Sequence, residues 1–302
     1  GEGPAGARCR CRGRTDRPRG ARTDARSDEV EPRYARRGPC PWALARGFAR
    51  SKVGLKDGDV RFERRGEIAW LTFDRPSARN AMTFAMYERL GELCAEIDAD
   101  ASVRAVVLTG AGEAFVAGTD ISQFHDFRTE QQALEYEGTM DRILGGLEAL
   151  RVPTIAAIRG PAVGGGAAIA AACDLRIGSP SARFGVPIAR TLGNCLSINN
   201  ILRLTALIGA ARVKDILFTA RLLDATEMRQ AGLLAEVTET EEALPRRAEE
   251  LARHIASYAP LTLRATKEQL RRIRERMLPE DSSDLVLLCY MSADFREGGR
   301  AF

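Results

Sequence analysis

Residues 115–121 read Phe-Val-Ala-Gly-Thr-Asp-Ile, and residues 160–166 read Gly-Pro-Ala-Val-Gly-Gly-Gly. The first segment follows an apolar run at residues 104–109, and the second opens a helix of small residues. Glycine permits positive φ and lets another group approach the backbone closely. Backbone N–H groups of the two turns can therefore point at one oxygen atom, as in an oxyanion hole. The N-terminal end of the second helix adds a positive dipole there.

Strand and helix patterns alternate between residues 60 and 178. Residues 60–64 and 68–73 flank Arg65-Gly66-Glu67, a pattern that predicts a β-hairpin. The segments that follow are predicted as helix 84–98, strand 105–108, helix 131–150, strand 154–158, helix 166–173 and strand 175–178. A strand-strand-helix unit that returns about every fifty residues predicts an α/β spiral of small sheets with helices on one side.

The chain becomes mostly helical after residue 195. Predicted helical segments are 196–208, 211–217, 225–232, 241–257, 261–276 and 282–293. Their apolar stripes are more than a single layer of helices needs to cover the core. The pattern therefore favours self-association.

The first 52 residues differ in composition from the rest of the chain. They contain thirteen Arg and one Lys against six Asp plus Glu, a balance of +8. Subtracting this from the total of +4 leaves −4 for residues 53–302, so the excess positive charge gives no reason to expect nucleic-acid binding. We expect residues 1–52 to be a disordered extension. The extension either has no function in a cytoplasmic protein or is a transit peptide to an organelle matrix.

The seven cysteines indicate a reduced, intracellular protein. Their number is odd, and none of the pairs after residue 52 has metal-ligand spacing. Cys9 and Cys11 lie in the extension without a neighbouring His, so we expect no zinc site. The chain also has no run of eighteen apolar residues, which argues against a transmembrane helix.

Six segments of the chain, in order and in spacing, resemble the crotonase superfamily, the enoyl-CoA hydratase/isomerase family. They are residues 73–81, 106–112, 115–121, 162–166, 171–174 and 293–298. The resemblance runs from about residue 57 to residue 302. It implies a crotonase-like ββα spiral core at residues 53–255, which binds acyl-CoA thioesters. A helical region at residues 256–302 would form a homotrimer or a dimer of trimers, and no metal or redox cofactor is implied.

The same resemblance assigns roles to individual residues. The oxyanion donors would be the N–H groups of Thr119 and Gly165. The backbone around Ala78 and Arg79 would meet the adenine end of CoA. The segment from Thr119 through Asp120 and Ile121 to Ser122 would line the pantetheine, and Ala117 would also contact the substrate. Because many relatives carry a lysine where this chain has Ser122, contact with the CoA phosphates would fall to Arg79 or Lys267.

The chain departs from the family at the two glutamates that hydratases use to hold water and move protons. Ala168 and Ile188 stand at those positions. Neither side chain can exchange a proton, so hydration by the usual mechanism is not expected. An oxyanion hole serves isomerisation, decarboxylation, C–C bond cleavage and thioester hydrolysis equally well.

Candidate replacements for the missing glutamates are Asp120, His125, Arg190, Asn194 and Cys195. Asp120 belongs to a family motif in which it is commonly structural, and His125 lies in a polar turn typical of a surface. Asn194 would hydrogen-bond an acyl carbonyl or carboxylate, whereas Arg190 would either pair with an acidic acyl group or face solvent. Cys195 has no adjacent base, which favours a buried, inert thiol over a nucleophile.

The residues also bear on three other interpretations of the chain. A dinucleotide-binding site is disfavoured, because Ile169 stands where the third glycine is required and the expected acidic residue is absent. A purely structural turn at residues 160–166 does not explain the matching turn at residues 117–119. A catalytically inactive acyl-CoA-binding or assembly protein remains the main alternative, because both glutamates are missing.

Overall fold

The computed structural model describes residues 58–125, 127–277 and 282–301, so the predicted extension at residues 1–52 lies outside the described residues. The strands are β1 (Asp59–Arg65), β2 (Ile68–Asp74), β3 (Ala105–Gly110), β4 (Thr154–Ile158), β5 (Pro161–Val163), β6 (Leu175–Gly178), β7 (Arg183–Gly185), β8 (Leu223–Asp224) and β9 (Glu236–Val237). The helices are α1 (Phe84–Ala99), α2 (Glu130–Ala149), α3 (Gly165–Ala172), α4 (Ile198–Thr219), α5 (Ala225–Gln230), α6 (Ala243–Ala256), α7 (Pro260–Glu275), α8 (Ser283–Tyr290) and α9 (Ala293–Arg300). Single 3₁₀ turns lie at Pro76–Ala78 and Ile121–Phe124.

The main sheet has the strand order β1-β2-β3-β4-β6-β9. β1 and β2 form the expected antiparallel hairpin, and the other neighbours run parallel. A smaller sheet has the order β5-β7-β8. Because β3 and β4 are adjacent and parallel, their carboxyl ends lie side by side, and each is followed by one of the two glycine-rich segments. The mixed α/β fold with a helical C-terminal region agrees with the prediction.

The two faces of the main sheet pack against different helices, so the prediction of helices on one side only is wrong for this sheet. Strand side chains alternate between faces. On one face, residues such as Trp70 and Val107 pack against Leu244, Ala248 and other residues of α6. On the other face, alternate residues such as Leu71 and Leu108 join a large core with α1, α2 and α3. This second core contains the walls of the candidate site.

The C-terminal helices belong to the same core as the site. Val286 and Tyr290 on α8 and Phe295 on α9 are buried in the cluster that contains α1, α2 and α3. The predicted boundary at residues 255/256 therefore does not separate an independent hydrophobic core. The aromatic rings of Tyr136 and Tyr290 lie 6.4 Å apart, so α2 and α8 meet through side chains that line or adjoin the site.

α7, the turn that follows it and α8 leave large apolar side chains exposed. Six of them are at least half exposed: Leu261, Leu270, Ile273, Met277, Leu285 and Leu288. Exposed apolar groups in this number mark an interaction surface in many soluble proteins. Within the described ranges, no helix is both long and apolar enough to cross a bilayer.

Candidate active site

The segment at residues 117–120 pairs in parallel with Met82, which lies just before α1. The Met82 N–H donates to the Gly118 carbonyl at 2.8 Å, and the Asp120 N–H donates to the Met82 carbonyl at 2.8 Å. In a parallel pairing, the residues on either side of the paired position bond the partner, and the polar groups of the residue between them face away from it. The N–H of Thr119 therefore points away from Met82, on the side of the cavity that Thr119 lines.

Gly165 is the first residue of α3, and the turn before it requires glycine. Gly164 has φ 55° and ψ −117°, a conformation that a residue with a Cβ rarely adopts. The Gly164 N–H is bound to the carbonyl of Gly185 at 2.9 Å. A residue at the start of a helix has no carbonyl of the same helix to receive its N–H. The Gly165 N–H and the positive end of the α3 dipole are thus available to an anionic oxygen.

The two candidate donors lie side by side. A Cβ atom on residue 165 would be 3.5 Å from the Thr119 nitrogen and 2.9 Å from Thr119 Oγ1. Thr119 Oγ1 is also 2.9 Å from the hydroxyl of Tyr87, which is fully buried. Burial raises the pKa of Tyr87 to about 12, against a smaller lowering by the Thr119 hydrogen bond, so this phenol is neutral near pH 7.

The donors open onto a cavity of about 220 Å³. Much of its wall is apolar, with small residues near the donors and larger side chains from α2 and from the segment before α4. The lining residues are Tyr87, Ala117, Gly118, Thr119, Ile121, Phe124, Tyr136, Glu137, Met140, Leu144, Val163, Gly164, Gly165, Ala168, Pro187, Ile188, Thr191, Leu192, Asn194, Cys195, Leu196 and Asn200. The described lining thus contains one carboxyl group, that of Glu137, and lacks Lys, Arg and His.

The structure brings some of the sequence-predicted site residues together and leaves others apart. Those in the cavity wall are Ala117, Thr119, Ile121, Gly165 and Asn194. Those outside the lining are Ala78, Arg79, Asp120, Ser122 and Arg190. Ala168 and Ile188, which stand where the family's glutamates were expected, both line the cavity and make their part of its wall apolar.

Asp120 holds the backbone of the site. Its carboxylate pairs with Arg75 at 2.8 Å and accepts hydrogen bonds from the N–H and hydroxyl of Ser122 at 3.1 and 2.7 Å. Burial alone raises the pKa of Asp120, but the bonds from Ser122 and Arg75 outweigh it and leave the pKa below its ordinary value. The residue is therefore an anion that caps the turn at Ile121–Phe124, which agrees with the structural role expected from the motif.

The basic residues suggested to contact the substrate lie outside the cavity lining. Arg190 is exposed, in a turn where its N–H donates to the Pro187 carbonyl. Arg79 is exposed with φ 50°, and its carbonyl receives the N–H of Ala117 at 3.0 Å, which places the 78–79 backbone beside the cavity segment. Lys267 is engaged away from solvent, because its ammonium binds Asp174 at 2.6 Å and its side chain is 11% exposed. Its suggested role at the CoA phosphates is not supported.

The other candidate acid-base and nucleophilic groups are poorly suited to proton or acyl transfer. His125 is exposed and outside the lining. Burial raises the pKa of the Cys195 thiol to about 12, so it is not a thiolate near pH 7. Within the described residues, no group of three His, Cys, Asp or Glu side chains is placed to hold a metal ion.

Glu137 was not singled out from the sequence. It lies on α2, half-buried, with Oε1 accepting a 2.5 Å hydrogen bond from the hydroxyl of Tyr290. Its position was nevertheless visible in the sequence, because Ala133, Glu137, Met140 and Leu144 follow the helical spacing of one buried stripe. A carboxylate in a stripe of apolar residues is unusual, because charged side chains are rarely buried unless they have a partner.

Comparison with known proteins places the chain among enzymes of acyl-CoA chemistry. A family model described as enoyl-CoA hydratase/isomerase matches residues 63–302. The short-chain-enoyl-CoA hydratase of Clostridium acetobutylicum is 39% identical over 220 residues, covering 71% of this chain and 81% of that protein. The crotonyl-CoA hydratase of Syntrophomonas wolfei is 31% identical, covering 81% and 94%. The structure of an enoyl-CoA hydratase/carnithine racemase from Magnetospirillum magneticum aligns with a TM-score of 0.69 at 33% identity, covering 80% of this chain and 91% of that one.

Proposed function

The chain belongs to the enoyl-CoA hydratase/isomerase family, and on that premise we propose that it is an enzyme that forms an enolate from an acyl-CoA thioester. The thioester oxygen lies between the N–H groups of Thr119 and Gly165. The acyl chain occupies the cavity of about 220 Å³. The single observation that carries the proposal is the adjacency of these two donors at the cavity wall.

The proposed chemistry follows from where the donors point. Removing a proton beside a thioester carbonyl places negative charge on its oxygen. Two N–H groups and the N-terminal end of α3 stabilise that charge, and each such donor contributes roughly 10²–10³ in rate in comparable sites. The apolar wall strengthens this effect because apolar surroundings screen charge less than water does.

Hydration is not the reaction that this site favours. Water addition to an enoyl thioester needs groups that hold the water and move its protons. Ala168 and Ile188 line the cavity without supplying either function. The remaining chemistry of an oxyanion hole is isomerisation, decarboxylation, C–C bond cleavage or thioester hydrolysis. None of these requires a metal or redox cofactor supplied by the protein.

An acyl-CoA-binding protein without catalysis is the second candidate. The apolar residues at positions 168 and 188 favour it, whereas the donor pair and the ionisable group in the cavity wall favour an enzyme. Incubation of the full-length protein with a panel of acyl-CoA thioesters, read by mass spectrometry, separates the two. Turnover of any one thioester supports the enzyme, and binding without turnover of all of them supports the second candidate.

We also propose a homotrimer or a dimer of trimers. The exposed apolar residues on α7 and α8 support this assembly, because they form the kind of surface that subunits cover.

Binding through the backbone donors is tested with two substitutions at one position. Thr119→Pro removes the N–H, whereas Thr119→Ala keeps it and removes only the hydroxyl. We expect calorimetry with butyryl-CoA to give binding for the wild type and for Thr119→Ala, and a large loss for Thr119→Pro. Circular dichroism confirms that each variant is folded. No detectable heat at millimolar butyryl-CoA with folded wild type would overturn the proposed function.

A further inference from the structure

We infer that Glu137 is the catalytic residue that carries a proton between two carbons of the acyl chain, so that the enzyme shifts the double bond of an enoyl-CoA. The inference rests on the proposed function, because it needs a thioester in the cavity. The contacts of Glu137 support it, and no motif of the sequence assigns a role to this residue.

Glu137 is the one carboxyl in the described lining of the cavity. It projects from α2, whereas the family's glutamate positions, now Ala168 and Ile188, lie on α3 and on the segment after β7. Met140 and Leu144, one and two turns further along α2, line the same cavity. The carboxyl therefore faces the acyl chain from the wall formed by α2.

A short hydrogen-bonded chain fixes the carboxyl group. Asn194 Nδ2 donates to the Tyr290 hydroxyl at 3.3 Å, and that hydroxyl donates to Glu137 Oε1 at 2.5 Å. Tyr290 is buried at 1% exposure among aromatic rings, so it holds one orientation. Asn194 Oδ1 is buried and lacks a hydrogen-bond partner among the described residues, which marks this end of the cavity as prepared for a further polar group.

The surroundings keep Glu137 able to both accept and donate a proton near neutral pH. Burial raises its pKa to about 7, the Tyr290 hydrogen bond opposes that rise, and Asp141 one turn along α2 adds to it. The titratable groups around it are Tyr136 and Asp141 on α2, Tyr87 on α1, Tyr290 on α8, and Cys195 before α4. An acid-base group works best when its pKa is near the working pH.

The reaction balances with this one group. The Glu137 carboxylate removes a proton from C2 of a 3-enoyl-CoA, and the C–H electron pair passes into a dienolate whose negative oxygen is held by Thr119 and Gly165. The protonated Glu137 then delivers that proton to C4. The electron pair on oxygen returns, the 3,4 double bond becomes a 2,3 double bond, and the carboxylate is restored. Because one carboxyl group both removes and returns the proton, a second carboxylate is not required. Neither water nor an oxidant is consumed.

The test compares Glu137→Gln with Glu135→Gln, a matched change on the exposed face of the same helix. The full-length proteins are given 3-hexenoyl-CoA, and formation of 2-hexenoyl-CoA is followed by absorbance. Exchange of the C2 protons of butyryl-CoA in deuterated water is followed by mass spectrometry. We expect Glu137→Gln to slow both processes by roughly 10²–10⁴ and Glu135→Gln to leave them unchanged.

Tyr290→Phe tests the positioning of Glu137. Removing the hydroxyl removes the hydrogen bond that lowers the Glu137 pKa, so the midpoint of the exchange rate against pH should move upward. A residue that only fills space would change the rate without moving that midpoint.

The outcomes separate the inference from the proposed function. Failure of the wild type to bind butyryl-CoA in calorimetry overturns both. Binding with no exchange, or with equal exchange in wild type and folded Glu137→Gln, overturns the inference alone and leaves the oxyanion site standing. Binding retained with exchange lost in Glu137→Gln, together with an upward midpoint in Tyr290→Phe, supports the inference.

Discussion

The hydroxyl of Tyr87 occupies the space that a side chain on Gly165 would need. A Cβ atom there would approach this oxygen to less than 3.0 Å, closer than real Cβ atoms come to their neighbours. The same hydroxyl is bonded to Thr119, the neighbour of Gly165 across the donor pair. Glycine at position 165 is therefore required by packing.

We expect Gly165→Ala to damage both stability and activity. The added methyl group must push Tyr87 or α3 aside, which costs about 1–3 kcal/mol in a packed core. It also moves one donor, and loss of a donor typically lowers the rate by roughly 10²–10³. Thermal unfolding and turnover of 3-hexenoyl-CoA measure the two effects.

Two further variants show whether the clash with Tyr87 causes the loss of stability in Gly165→Ala. Gly138→Ala, on an exposed part of α2 with open space around the glycine, should leave activity unchanged. Tyr87→Phe combined with Gly165→Ala should recover part of the lost stability, because the clashing oxygen is gone. Equal stability of the single and double variants would show that the hydroxyl is not the obstacle.

Crotonyl-CoA should be hydrated very slowly by the wild type. Ala168 and Ile188 cannot supply acid-base catalysis, and each such group usually contributes ~10²–10⁴ in rate. Loss of the enoyl absorbance measures hydration. Isomerisation of 3-hexenoyl-CoA by the same sample is the control for active protein. A hydration rate as high as the isomerisation rate contradicts the expectation.

Glu137→Gln should stabilise the protein more at pH 8 than at pH 5. The ordinary pKa of a glutamate is 4.5, and the folded value for Glu137 is about 7. Between these values the folded protein binds more protons than the unfolded chain, so the glutamate's contribution to stability falls as pH rises through this window. The difference in free energy of unfolding between Glu137→Gln and the wild type should therefore shift in favour of the variant by on the order of 2 kcal/mol from pH 5 to pH 8.

Denaturant unfolding of both proteins at pH 5 and pH 8 checks this difference. Glu135→Gln is the control, because its carboxyl is on the exposed face of α2, and it should show no comparable change with pH. A pH-independent effect of Glu137→Gln would mean that burial does not raise the pKa of this carboxyl.

Asp120→Asn should cost about 1–3 kcal/mol at pH 7, because it removes the charge that pairs with Arg75 in a largely buried place. The folded pKa of Asp120 is below its ordinary value of 3.8. Its contribution is therefore present above pH 4 and lost as pH falls through the folded pKa. Glu250→Gln, in an exposed ion pair of α6, should have little effect at either pH. Unfolding curves that do not converge in acid would argue against the ion pair as the cause.

A charge on α7 should weaken self-association. Leu270 and Ile273 are 62% and 60% exposed, and a glutamate at either would be buried without a partner if subunits cover this face. Light scattering should give a multimeric mass for the wild type and a smaller mass for Leu270→Glu. Phe62→Glu, a matched change on β1, should leave the mass unaltered. A monomeric wild type would exclude the proposed trimer.

The two glycine turns could be predicted, because each needs a backbone conformation or a close contact that only glycine tolerates, and the sequence shows glycine there. Gly164 has positive φ, and Gly165 has no room for a Cβ, so both positions demand the residue that is there. The interruption between two predicted helices near residue 209 was also correct. Gly209 has φ 73° and ψ 153° inside the otherwise continuous α4.

Other parts of the fold could not be predicted. β5, β7, β8 and β9 are two or three residues long, and pairing across the tertiary structure rather than local preference forms them. The bond between Glu137 and Tyr290 joins residues 153 positions apart. Spacing along α2 could indicate an unusual carboxylate, but only the packing of α8 on α2 supplies its partner.

The placement of Tyr290 on α8 also has a consequence for biosynthesis. A chain growing from its N-terminus contains both oxyanion turns and α2 long before α8 exists. Because Val286, Tyr290 and Phe295 belong to the same buried core as α1, α2 and α3, that core is incomplete until α8 and α9 have been made. The bond between Glu137 and Tyr290 can therefore form only after nearly the whole chain has been synthesised.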